Sequence, residues 1–91
     1  MILVGLQRVY KLFERRTDFR KPLAAWVTET ESASWSNFQS VRSAFPNAAQ
    51  GDEGVTEFWL KSAPLVIYTS IAYDMGIVLV ISAQEKHGFG L

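Results

Sequence analysis

Cysteine is absent from all 91 residues, so disulfides, thiolate metal sites and a cysteine nucleophile are excluded. That absence fits a reducing cytosol. Histidine occurs once, as His87, which removes every mechanism that needs two imidazoles. A metal site would have to combine that one ring with scattered acids, so neither metal nor cofactor is expected. No Ser lies in a G-x-S-x-G elbow, no Gly-rich phosphate loop is present, and no carboxylate pair has a spacing suited to glycosidase or aspartic-protease chemistry. The longest unbroken aliphatic run, Ile77 to Ile81, is far short of the roughly 20 residues of a membrane helix. The N-terminus lacks the basic-then-apolar layout of a secretory signal. A soluble, cytoplasmic domain with no membrane contact is the expectation.

Hydrophobic residues make up 48% of the chain, with three Trp, three Tyr and six Phe, enough to fill the core of one small domain over residues 1–91. The stretch Pro64 to Ala83 organises the rest. Leu65, Ile67, Thr69, Ile71 and Tyr73 alternate with Val66, Tyr68, Ser70 and Ala72. After Asp74-Met75-Gly76 the alternation resumes, with Ile77, Leu79, Ile81 and Ala83 on one side and Val78, Val80 and Ser82 on the other. Period-two alternation of β-branched and aromatic residues describes strands, and a three-residue connection ending in Gly describes a hairpin. Both faces are apolar enough for a central hairpin covered on one side by helices.

Ahead of it, Ile2-Leu3-Val4 reads as a short strand. A helix is predicted from about Leu6 to Arg16, with Leu6, Val9, Tyr10, Leu12 and Phe13 inward and Arg8, Lys11 and Arg15 outward. Thr17 and Asp18 can open a second helix to about Glu31, buried along Phe19, Leu23, Trp26, Val27 and Thr30, with Pro22 tolerated in its first turn. Ser36-Asn37-Phe38-Gln39 has the form of a capping box opening a short helix that carries Phe38 and Val41 inward and stops before Pro46. Asn47 to Gly54 reads as an exposed loop, and Thr56 to Leu60 as a strand with Phe58 and Leu60 on one face. The expected class is α+β: a short N-terminal strand, then a two-helix hairpin packed on an antiparallel sheet that ends in a three-strand meander.

Net charge is zero, but unevenly spread. Six basic residues (Arg8, Lys11, Arg15, Arg16, Arg20, Lys21) stand against two acids between positions 8 and 21, a local +4 balanced by −4 elsewhere. Such a cluster is either a solvated helix face or a surface for a nucleic-acid backbone, whose phosphates bind without sequence information. A second candidate group is Lys86-His87: an ammonium can stabilise charge developing on a phosphate, and an imidazole can move a proton. The plainer alternative is two solvated tail residues. Trp35 and Trp59 can stack on bases or simply pack at the edge of a small core.

Several local signatures resemble the HigB-type toxins of bacterial toxin–antitoxin pairs, within the RelE/ParE superfamily. They are Pro22-Leu23-Ala24-Ala25-Trp26, Trp35 through Val41, Phe45-Pro46-Asn47-Ala48, Phe58-Trp59-Leu60, and the strand Leu65 to Tyr73 with Ile67, Ile71 and Tyr73 in place. The likeness spans essentially the whole chain and is more specific in its N-terminal half. It implies a RelE/ParE-like fold and a ribosome-associated mRNA endoribonuclease neutralised by a cognate antitoxin, with the RNA 2′-hydroxyl attacking the adjacent phosphate. In that reading Lys86 and His87 are catalytic and Lys61 joins Arg8, Lys11, Arg15, Arg16, Arg20 and Lys21 on RNA.

The departures bear on chemistry. A basic strand position of the family falls on Val66, another on Ile81, and a polar pair on Ser62-Ala63. The closing T-H-x-E-Y falls on Glu85, Lys86, His87, Gly88 and Phe89. Two functions follow: a working or weakened RNA-cleaving toxin, or a catalytically silent relative kept as a module that binds an antitoxin, a host factor or a defence-system component.

Overall fold

The computed structural model describes residues 1–87. Its elements run β1 (Ile2–Val4), α1 (Gln7–Leu12), α2 (Arg20–Ser32), α3 (Phe38–Ala44), β2 (Ala49–Gln50), β3 (Val55–Trp59), β4 (Leu65–Ala72) and β5 (Ile77–Glu85). Single turns of 3-10 helix precede α2 and β3. The five strands form one sheet in the order β1-β5-β4-β3-β2. The pairings β2–β3, β3–β4 and β4–β5 are antiparallel, whereas β1 lies parallel to β5, so the sheet is mixed rather than antiparallel throughout.

The β4–β5 hairpin sits inside the sheet, as the alternation indicates. Its connection is four residues, Tyr73 to Gly76, with Gly76 in the left-handed region at φ +68°. One register shift separates expectation from structure. Tyr68 pairs with Ser82 but Thr69 with Val80, so Ile81 is an extra residue in β5, a β-bulge. Beyond it the faces exchange. Ala83, expected beside Ile81, instead joins Val78 and Val80 in the core, and Glu85 follows it to that face.

All three helices lie over this one face. Val9 of α1, Leu23 and Trp26 of α2, Val41 of α3 and Phe19 and Trp35 of the links bury against Phe58, Leu65, Ile67, Val78, Val80 and Ala83. Phe58 is fully buried, and its ring meets Trp26 at 5.3 Å, Trp35 at 5.9 Å and Phe45 at 5.2 Å between centroids. Separations in this range favour edge-on or offset contact and add to the area removed from water. Trp35 is therefore core, not a free stacking platform.

Four local expectations need correction. The first helix is a turn and a half rather than three, and Arg15 lies beyond it. Phe13 caps its C-terminus with non-helical backbone and packs edge-on against Phe19 at 5.2 Å. Tyr10 and Leu12 are exposed rather than inward. The cap of α3 is Asn37, whose side chain accepts from the Ser40 N–H at 2.9 Å, in place of Ser36. The 47–54 loop contains the short edge strand β2, and Ala48 within it is buried.

Gly5 ends β1 with φ +86°, and a Cβ there would stand 2.7 Å from the Val80 carbonyl oxygen. Both conditions demand glycine. Gly5→Ala is expected to lower unfolding free energy by about 1–3 kcal/mol, and Phe58→Ala by about 3–5 kcal/mol, each read from the shift of a denaturant midpoint. A neutral Phe58→Ala would mean that the aromatic cluster is not the centre of the core.

Candidate functional site

The β3–β4 turn and the end of β5 are pinned together by backbone. Leu60 N–H donates to the Leu65 carbonyl at 3.0 Å, Leu65 N–H to Ala63 at 2.8 Å, and Lys86 N–H to Pro64 at 2.9 Å. The last of these brings Lys86 and His87 beside Lys61, from which they are far in sequence. Together with Asn47, Trp59 and Pro64 they line a cleft of about 450 Å³. An adjoining groove of about 260 Å³ shares Asn47, Trp59 and Lys61 and continues along Pro22 and Glu29 of α2.

Within the cleft the two tail residues diverge. The Lys86 ammonium stands over the Trp59 ring, 5.6 Å from its centroid, a cation–π geometry. The His87 Nε2 instead lies 3.1 Å from a Glu85 oxygen. Trp59 lies half-buried on the sheet face away from the helices, and its Nε1–H donates to Glu57 at 3.0 Å. When Nε2 of a neutral His87 carries the proton and donates to Glu85, Nδ1 holds the lone pair and is the nitrogen able to take a proton.

Glu85 also receives Arg16. The Arg16 guanidinium bonds both Glu85 and Asp18, meeting Asp18 through two contacts at 3.0 and 2.8 Å, and lies 4.2 Å over the Phe19 ring. Hydrogen bonding from Arg16, then from His87, holds the Glu85 carboxyl below its ordinary range, while Arg16 itself holds Asp18 down. The two carboxylates in turn push the Arg16 proton affinity up, Asp18 more than Glu85. The row Arg16–Glu85–His87 thus ties the turn before α2 to the rim of the cleft.

The predicted cations are therefore divided by the fold. Lys61, Lys86 and His87 meet in the cleft. Arg16 is engaged by two carboxylates. The Arg8 guanidinium donates to the Val80 carbonyl at 3.3 Å and, with Lys11 and Leu12, lines a separate hollow. Arg15, Arg20 and Lys21 are exposed about the turn that carries Arg16, with Arg15 off the helix that was to align it with Arg8 and Lys11. Val66 is fully buried on the outer sheet face between its partners Trp59 and Gln84, and Ile81 stands exposed at the bulge. Gly88 and Phe89, the last positions of the closing motif, lie outside the described residues. Asn47 and Glu85, which the sequence reading named only as positions in local signatures, are lining and supporting residues here. Asn47 follows Pro46 in a turn, and only the bulge turns Glu85 toward Arg16.

Among the described residues no cluster of three or more His, Asp or Glu could hold a metal ion, and no helix is long and apolar enough to cross a membrane. The chain matches no known protein-family model, and no curated protein is significantly similar to it.

Acid should loosen the Arg16–Glu85 link. A carboxyl held below its ordinary value of 4.5 contributes stability that is fully present above that pH and lost as pH falls through the lower folded value. Both ends are exposed, so the effect is small. The thermal midpoint is expected to drop on acidification below the ordinary carboxylate range, and Glu85→Gln to flatten part of that drop. A pH profile identical in wild type and Glu85→Gln would show that the link adds nothing to stability.

Proposed function

We propose that this chain is a HigB-like RNA-cleaving domain with a RelE/ParE-like arrangement, acting on mRNA at the ribosome and held in check by a cognate antitoxin. The observation that carries this reading is the meeting of Lys61, Lys86 and His87 on one cleft walled by Trp59. A phosphate in such a cleft is neutralised by two ammonium groups.

The reaction follows from the groups present. The 2′-oxygen of the nucleotide preceding the scissile bond attacks phosphorus as His87 takes its proton. Lys61 and Lys86 stabilise the extra negative charge on the phosphorane. The bond to the 5′-oxygen breaks, leaving a 2′,3′-cyclic phosphate and a 5′-hydroxyl, with the leaving oxygen protonated by Lys86 or solvent. Glu85 orients the imidazole and belongs to positioning, not to the reacting atoms.

A second reading, a catalytically silent relative that binds a protein partner, is favoured by Val66 and Ile81. Both are apolar where the resembled family carries cations, and that loss weakens charge stabilisation at phosphorus.

Incubating purified protein with single-stranded RNA and with its 2′-O-methyl counterpart separates the two. Cleavage of RNA alone, with Lys86→Ala and His87→Ala each slowing it about 10²- to 10⁴-fold, supports the nuclease. Intact RNA, absence of growth arrest on expression and a co-purified protein partner support the silent relative. Affinity for RNA that barely changes with salt removes the phosphate-contact idea altogether, because counterion release demands a steep fall.

A further inference from the structure

The edge strand β1, though only three residues long, lacks the other usual protections of its own sequence. Met1-Ile2-Leu3-Val4-Gly5 has no Pro, no charged side chain and no bulge, the devices by which edge strands avoid pairing. Its only charge is the terminal ammonium, which the carbonyls of Glu31 and Ala33 hold. In a parallel pair alternate residues turn both backbone groups to the same neighbour. Ile2 N–H donates to the Gly76 carbonyl at 2.7 Å, so Ile2 and Val4 face β5 and the Leu3 N–H and C=O point outward from the sheet. On the face away from the helices, Ile2 is 64% exposed and Val4 45%, and the stripe continues inward through Leu79 at 37% and Ile81 at 40%.

We propose that β1 pairs antiparallel with β1 of a second copy of this chain, joining two five-stranded sheets across a two-fold axis at Leu3. The charge layout selects this occupant. The two-fold operation sets the start of one β1 against the end of the other. At the start stand Asp74 and Glu31, two carboxylates against the one ammonium, together with the exposed Met75. Just past the end stand Arg8 and Lys11 with the exposed Leu12, around a shallow hollow of about 560 Å³. Arg8 is fixed at that edge by its bond to Val80, one residue beyond the last β1–β5 pair.

An acidic end carrying an apolar residue thus meets a basic end carrying another, twice over. Leu3 faces its own copy in a hydrogen-bonded pair, and Ile2 lies opposite the partner's Val4, so the outer apolar stripe becomes continuous across the axis. An antiparallel edge that is acidic at one end and basic at the other is complementary to itself, which an arbitrary peptide would not be. This inference rests on the edge and not on the cleft.

The test is sedimentation equilibrium of the full chain across the micromolar to millimolar range, at low and high salt, with circular dichroism to confirm folding. A dimer that weakens with salt is expected. Val4→Lys, at an exposed position, should raise its dissociation constant by about tenfold or more. Lys11→Glu and Asp74→Lys should each weaken it, and the double reversal should restore it, because each residue stands at the end of β1 that the axis sets against the other's. A monomer throughout the range, a dimer indifferent to Val4→Lys, or two folded single reversals with no rescue in the double would each overturn the proposal. None of these outcomes depends on whether the chain cleaves RNA.

Discussion

Burial of the Phe58 ring is the constraint on which the remaining structure depends. It lies on β3, on the sheet's covered face, and Trp26 of α2, Trp35 of the following link and Phe45 at the end of α3 converge on it. No one of these elements is long enough to be stable alone; short helices in water gain most of their stability from packing an apolar face. With 91 residues and no cross-link, the domain must draw its stability from such a centre. The buried Thr69 hydroxyl, which donates to the Thr56 carbonyl at 2.9 Å, closes the neighbouring position on the same face without leaving a polar group unpaired.

A single extra residue in β5 then determines what the tail can do. Without the bulge at Ile81, Ala83 would face outward and Glu85 with it, and the carboxylate would point away from Arg16. With it, Glu85 reaches both Arg16 and His87, while Lys86, one residue on, reaches the Trp59 ring on the other side of the sheet edge. The placement of side chains about the cleft and the anchoring of the turn before α2 are thus two results of one backbone irregularity. Bulges re-aim the side chains that follow them, which is the effect seen at Ile81.

The sheet's two faces carry different tasks. One is closed by helices. The other is left with Val66, Trp59 and Tyr68 toward one end and Ile2, Val4, Leu79 and Ile81 toward the open edge. Tyr68 and Gln84 join across the strands at 3.1 Å, separating the cleft end from the apolar edge. The cleft beside Trp59 and the exposed stripe along β1 therefore occupy different regions of the sheet.

Period-two alternation alone located the central hairpin, and helical spacing located the buried row Phe19, Leu23, Trp26 and Thr30, because both patterns follow from which side chains share a face. Lys86 and His87 were also identifiable as residue types able to act on a phosphate. What local sequence could not contain was the pairing of strands distant in the chain: β1 running parallel to β5, β2 added at the far edge, and the register slip at Ile81. Strand register is set by contacts between segments, and a one-residue change turns each later side chain to the opposite face. For the same reason the helix predicted to reach Arg16 stops at Leu12, since packing Phe13 on Phe19 and drawing Arg16 to Glu85 outweigh helical propensity. Composition and periodicity determined the elements and the residues to be buried; only long-range pairing decided which charged groups would meet.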